Sequence, residues 1–359
     1  MSSTFIYVSS AADGDICTYT LNREVGKLVA GARVPAGPLV MPLAASPDGR
    51  FLYAATRALP YRLYNYRIRP DSGELQLNGV TALPESMVNI TVDLTGEWLL
   101  AASYGSDLLS VYRIDHGGRT APEASHFAKS GASKPHAIHV DSDNVRVYVP
   151  HLGSDEIHTY RFDPLSGHLT PLPDGRLSVR AGTGPRHLVR SRDSQYLYVL
   201  SELLGTVEVF SRDTSSGQFI HLQTAQSLPD GSPLVPGAPR APSGTTETAA
   251  FDLSQAIFCA DIQITPDGRF LYTSERTRST LSCFAIDQAT GTLRLIDHLT
   301  TETHPRSFAI DPAGNFLIVA GQHSPTISLY SLDNSTGALI LVDRADVGRD
   351  ANWVTAVAV

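Results

Sequence analysis

Three short phrases put a charged or titratable side chain into the same local setting: Lys134-Pro-His136, Gly184-Pro-Arg186 and His304-Pro-Arg306. Each opens an apolar segment, where packing alone would select Val, Ile, Ala or Leu. A guanidinium offers a planar fork of N–H donors that holds a carboxylate or phosphate by paired, charge-assisted hydrogen bonds. An imidazole exchanges a proton near neutral pH. Two more charged residues, Glu202 and Arg276, directly follow alternating segments. These residue types describe a site that binds an anion and moves a proton, if the fold brings them together.

The elements that must do so are repeats. A strand, a Pro-Asp-Gly-type turn and a second strand recur most clearly at Leu43–Tyr53 and Ile262–Tyr272, and more weakly at 91–100, 139–148, 189–198 and 309–318. The residue opening the second strand falls at Phe5, Phe51, Trp98, Arg146, Tyr196, Phe270 and Phe316, separated by 46, 47, 48, 50, 74 and 46 residues. A third alternating run follows each opening, then a turn such as Pro164-Leu-Ser-Gly167 or Ala289-Thr-Gly-Thr292, then a fourth short strand. Four strands per repeat make a propeller blade.

The first copy lacks the strand that should precede Phe5, and Trp353–Val359 forms an orphan strand at the other end. Joining them closes a ring and removes its open edge. The expected fold is all-β: a single domain over 1–359, a seven-bladed β-propeller whose N- and C-terminal strands complete one blade. The long interval is assigned to a Pro- and Gly-rich insertion at 225–257 in the fifth blade, either a cover over the channel mouth or a surface excursion.

Stacking the repeats turns sequence spacing into geometry. The innermost strand of each blade begins at Met41, Val88, His136, Arg186, Ala260, Arg306 and Trp353. The second strand, antiparallel to the first, ends at the same mouth with Ala11, Arg57, Tyr104, His151 with Leu152, Glu202, Arg276 and Gln322. His136, Arg186, Glu202 and Arg276 are therefore the candidate catalytic residues. Arg306, His151, His187, Tyr104, Gln322 and Asp261 are candidate substrate-binding residues. Glu202 among arginines should stay ionised, because opposite charge lowers a carboxylate pKa, and either it or His136 is the base. Arg57 is expected as a solvated surface residue, and His158 as a strand residue away from the mouth.

Composition excludes other classes. The formal charge of −8, without a run of Lys or Arg, leaves no footprint for nucleic acid or an anionic membrane. No stretch approaches a membrane span, and the first residues do not read as a signal peptide, so a cytoplasmic location is expected. Cys17, Cys259 and Cys283 are too scattered for a disulfide framework or a zinc site. No Walker, GxGxxG, HExxH or nucleophile-elbow motif occurs. The mouth lacks the carboxylates a calcium-dependent hydrolase needs. Neither metal nor cofactor is expected, and the oligomeric state is not legible.

Five phrases carry a resemblance: Ser46–Tyr53, Gly184-Pro-Arg-His187, Ala260–Arg269, Pro305-Arg306 and Asn352-Trp-Val354. On them the chain resembles, from Phe5 to Val359, the seven-bladed propeller lactonase family, which includes bacterial 6-phosphogluconolactonases of the cycloisomerase type and the fungal carboxymuconate-lactonising enzyme. The resemblance implies a hydrolase of a small anionic sugar-acid lactone, foremost 6-phosphoglucono-1,5-lactone. It also implies an active site on His136, Arg186, Glu202 and Arg276. In that reading arginines hold the anionic tail and stabilise the developing alkoxide while His136 or Glu202 activates water. Lactones of unphosphorylated aldaric or aldonic acids, muconate cycloisomerisation and a non-catalytic protein-binding propeller are the alternatives.

Overall fold

A computed structural model describes residues 3–240 and 253–359. They form seven four-stranded antiparallel sheets, with no α-helix among the described residues. In chain order the innermost strands of blades two to seven are Val40–Ala45, Asn89–Val92, His139–Val140, Pro185–Arg190, Cys259–Ile264 and Pro305–Ile310. Blade one takes its innermost strand, Ala351–Ala358, from the C-terminus, followed by Thr4–Ser10, Asp15–Asn22 and Lys27–Pro35. That closing pair runs from Thr4 opposite Ala358 to Ser9 opposite Trp353.

The core lies between blades. Second strands such as Phe51–Thr56 and Trp98–Ser103 are buried along their whole length, because both faces are covered by neighbouring sheets. In five of the seven blades the residue that opens the second strand does a specific job there. Its ring lies on the left-handed glycine in the outermost hairpin of the next blade: Phe5 on Gly73, Phe51 on Gly118, Trp98 on Gly167, Tyr196 on Gly291 and Phe270 on Gly337. A Cβ on any of these five glycines would stand 2.2–2.5 Å from the ring, so the close approach requires glycine. Tyr7, Tyr53, Tyr198 and Tyr272, two residues further on, donate their hydroxyls to the carbonyls of Gly73, Gly118, Gly291 and Gly337. Blades four and five break this pattern. Arg146 replaces the aromatic, nothing lies within 4 Å of where a Gly217 Cβ would be, and a cleft of about 290 Å³ opens between Tyr148, Arg176, Arg212 and Phe219.

The insertion sits elsewhere than the spacing suggests. Ala225 and Gln226 belong to the outermost strand of blade five, Phe219–Gln226, and the described remainder runs from there to the innermost strand of blade six. It joins two blades rather than interrupting one. The period was counted between second strands and could not say where within a repeat the extra residues fall. Residues 241–252 of the insertion lie outside the described residues. Its two ends meet in a parallel bridge: Val235 N–H donates to Gln255 and Ile257 N–H to Val235, each at 2.9 Å.

Candidate active site

The innermost strands start in a repeated manoeuvre. Lys134, Gly184 and His304 adopt left-handed backbone angles (φ 59°, 59° and 60°), and the proline that follows each leads the chain into His136, Arg186 or Arg306. The second strand's end is tied to the same place. Leu152, Glu202, Arg276 and Gln322 donate their backbone N–H to the carbonyls of Lys134, Gly184, Phe258 and His304, at 2.9–3.1 Å. These matching bonds are why residues far apart in sequence converge on one mouth.

Beyond that point the sheet register slips in blades two, five, six and seven, between Val40 and Leu43, Pro185 and Leu188, Cys259 and Ile262, and Pro305 and Ser307. Such a bulge re-aims side chains that strict alternation would send to opposite faces. Arg186 and His187, though consecutive, thus join one network, and so does Asp261.

Glu202 is its centre. Its Oε1 accepts a 2.6 Å hydrogen bond from Arg276 Nη2, and its Oε2 lies 2.9 Å from Arg186 Nε and 3.9 Å from His136 Nε2. All four side chains are buried, Arg186 to 1% exposure and Arg276 to 2%. The Arg186 contact is an ion pair without hydrogen-bond alignment, so both Arg186 Nε and Glu202 Oε2 keep an unused hydrogen-bonding position. His136 Nδ1 and Arg306 Nε are likewise buried without a partner. Buried polar atoms such as these require a hydrogen-bond partner.

The network fixes protonation. Arg186 donates to the Ala260 carbonyl and, at 3.1 Å, to His187 Nε2. Its Nε2 being an acceptor, His187 carries its proton on Nδ1 and donates it to Asp261 Oδ1 at 3.0 Å. Burial alone would raise the Glu202 carboxyl, but Arg276 and Arg186 overcome it and hold it at about 2. Burial, then Arg186 and His187, push His136 well below the usual imidazole value. The site therefore holds an ionised Glu202 beside a neutral His136. Burial and the guanidiniums of Arg186, Arg276 and Arg57 also act against the charge on Arg306.

The remaining expected residues are distributed as follows. Tyr104 packs its ring edge against His136, with centroids 5.6 Å apart. Gln322 reaches the mouth but donates its amide to Asp350 Oδ1 at 2.7 Å. Arg57 is a correction: it is half-buried, with Nε 3.1 Å from Ser86 Oγ, and its charge bears on both His136 and Arg306. His151 is kept out of the network. Leu152, not His151, makes the bond equivalent to that of Glu202, and an offset of one residue turns a strand side chain to the other face. His151 packs instead against His158, with ring centroids 4.4 Å apart.

Of two further residues, Glu275 is expected near the mouth with its orientation open, and Arg240 escapes sequence reasoning. Glu275 fixes the turn that presents Arg276, accepting from the backbone N–H of Phe258, Thr277 and Arg278. Arg240, from the insertion, stacks over Phe258 beside Arg276. Its position outside the repeat left it without a register. Among the described residues, no group of three or more His, Cys, Asp or Glu side chains is arranged to hold a metal ion.

Comparison with known proteins agrees with this architecture. The family model described as lactonase, 7-bladed beta-propeller, matches residues 5–356. The 6-phosphogluconolactonase of Photorhabdus laumondii subsp. laumondii is 35% identical over 354 residues, covering 99% of both chains. That of Serratia proteamaculans is 34% identical over 306 residues, or 85% of this chain and 84% of the relative. Among solved structures, a Pseudomonas aeruginosa periplasmic gluconolactonase superposes with a TM-score of 0.84 at 24% identity, over 100% of this chain and 99% of that one. A putative 6-phosphogluconolactonase from Bacteroides fragilis gives 0.82 at 24% identity, over 99% and 98%. The chain belongs to the seven-bladed β-propeller lactonase family.

Proposed function

We propose that the protein hydrolyses 6-phosphoglucono-1,5-lactone to 6-phosphogluconate at the His136–Glu202 site. The observation that carries this reading is the 3.9 Å gap between His136 Nε2 and Glu202 Oε2. A water beside the pair, about 2.8 Å from each atom, bridges both. It donates one proton toward the carboxylate, is turned by it toward the lactone carbonyl, and loses its other proton to His136 Nε2. Glu202, at about 2, is too weak a base for neutral pH and serves to orient the water. Attack breaks the carbonyl π bond and places negative charge on the former carbonyl oxygen. The open N–H groups of Arg186 and Arg306 are suited to receive it. Collapse breaks the bond from the carbonyl carbon to the ring oxygen, which takes the proton back from His136. The carboxylic acid then ionises against the arginines.

The charge balance supports an anionic substrate. Five guanidiniums, of Arg57, Arg186, Arg240, Arg276 and Arg306, act on the mouth against the carboxylates of Glu202 and Asp261. That excess suppresses the basicity of His136 until an anion arrives and offsets it, so binding prepares the base. A phosphorylated sugar acid does not cross a bilayer unaided, which fits a cytoplasmic enzyme. The test is lactone opening followed by proton release in weak buffer, with the spontaneous rate subtracted, for wild type and His136→Ala. Acceleration of the phosphorylated lactone that the variant loses is expected. Reaction at the background rate in folded wild-type protein would refute the reading.

A further inference from the structure

Arg240 stands over the site with no ion-pair partner among the described residues. Its guanidinium carbon lies 4.1 Å from the centroid of the Phe258 ring, and that of Arg276 lies 5.4 Å from the same ring. Arg276 is engaged with Glu202. Among the described residues no carboxylate pairs with Arg240, and its Nε is buried without a hydrogen-bond partner. Two guanidiniums sharing one ring repel each other, and among the described residues only Arg276 is paired with a carboxylate. Burial and Arg276 lower Arg240 to about 10, so it is charged at neutral pH.

The chain invests several contacts in placing this arginine. The Arg240 carbonyl accepts from Tyr104 Oη at 2.8 Å and from Lys134 Nζ at 3.3 Å. Three residues earlier, Gly237 N–H donates to the Leu203 carbonyl at 2.9 Å. A Cβ on Gly237 would stand 2.3 Å from the Ile257 carbonyl oxygen, so only glycine lets the segment approach so closely. Tyr104 packs against His136, and Lys134, two residues before His136 in sequence, lies over the Tyr104 ring, so the tether joins Arg240 to the residues around His136. Two contact routes link His136 to Arg240, one through Tyr104 and one through Glu202, Arg276 and Phe258. The Arg240 guanidinium thus borders the same mouth as His136, where a ligand's second polar group would meet it.

We propose that Arg240 is the specificity-determining residue that binds the terminal phosphate of the substrate, with the ammonium of Lys134 supporting it. The insertion thereby adds phosphate recognition to a lactonase site whose chemistry lies on the blades. This rests on the proposed lactonase reading for the identity of the substrate. A phosphate dianion matches the fork of Arg240 and its charge better than a hydroxyl, which brings none.

The experiment compares wild type, Arg240→Ala and Arg240→Met on 6-phosphoglucono-1,5-lactone and glucono-1,5-lactone. The Met variant keeps an apolar stem over Phe258, and thermal unfolding confirms that each variant is folded. The ratio of kcat/KM for the phosphorylated over the unphosphorylated lactone is expected to fall about 30-fold or more, carried by KM. A ratio within about twofold of wild type, with both lactones turned over, overturns the assignment of Arg240 and leaves the lactonase reading standing. Calorimetry with 6-phosphogluconate and gluconate gives a readout independent of turnover. If wild type opens neither lactone, the lactonase reading fails. Loss of 6-phosphogluconate binding in Arg240→Met would then still support the phosphate site, and equal binding by both proteins, or none by wild type, would overturn it.

Discussion

Arg276 Nη2 donates a 2.6 Å hydrogen bond to Glu202 Oε1 across the joint between the fifth and sixth blades. Glu202 directly follows the second strand of one sheet and Arg276 that of the next, so a single carboxylate links two repeats through equivalent positions. The pair is fully desolvated, and removing one member leaves an uncompensated charge inside the protein.

Glu202→Gln is therefore expected to destabilise the fold by about 3–5 kcal/mol, read as a lower midpoint in urea. The pH dependence has a definite sign. The carboxyl is held at about 2 in the folded chain against its ordinary 4.5. The stability it contributes is complete above 4.5 and is lost as pH falls from there toward 2. The Gln variant should lack that portion of acid sensitivity, and identical acid titrations of the two proteins would contradict the assignment.

His136→Ala should lower kcat by roughly 10²–10⁴-fold with the fold intact, the usual range for loss of a general base. Circular dichroism and the urea midpoint separate this from unfolding.

The acid limb of the rate profile should also be displaced. In the free enzyme His136 is held well below 6.5 by burial and by Arg186, so kcat/KM should stay flat as pH falls through 6.5. Bound anionic substrate offsets the neighbouring arginines and raises the imidazole, which places the limb in kcat at higher pH than the limb in kcat/KM. Coincident limbs would show that substrate charge does not reach His136.

Gly291→Ala and Gly217→Ala form a matched pair. Both glycines have left-handed backbone, with φ 71° and 72°, but a Cβ at 291 meets the Tyr196 ring at 2.2 Å while one at 217 meets nothing within 4 Å. The Gly217 variant should cost about 1 kcal/mol, the backbone term alone. The Gly291 variant should cost about 2–4 kcal/mol, because the ring must move as well. Urea midpoints measure the difference.

The fold was legible because a propeller repeats its signals. Even a weak copy such as Val189–Tyr198 inherits its register from the clear ones, and Trp353–Val359 had one place to go. The four central side chains were legible for the same reason, since Glu202 and Arg276 hold equivalent positions and Arg186 opens the innermost strand opposite them. What failed was whatever departed from the period. His151 and Leu152 compete for one slot, and only the Leu152–Lys134 bond shows which takes it. Arg57 looks like a surface residue because its burial depends on the curvature of the ring. Arg240 lies in a segment with no repeat to align to, so its arrival over Phe258 depends on tertiary contacts alone.

The Arg146 substitution has a consequence for the reacting atoms. Blades five and six are wedged together by Tyr196 against Gly291, and across that joint Arg276 grips Glu202 at 2.6 Å. Blades four and five lack the wedge and enclose a cleft, and across that joint His136 faces Glu202 at 3.9 Å. The aromatic wedge and the carboxylate's cationic anchor thus share one joint. The joint without the aromatic wedge is closed by charge instead, Asp141 of blade four meeting Arg190 at 2.6 Å and Arg212 at 3.3 Å from blade five, so the His136–Glu202 spacing rests on ion pairs and should respond to ionic strength.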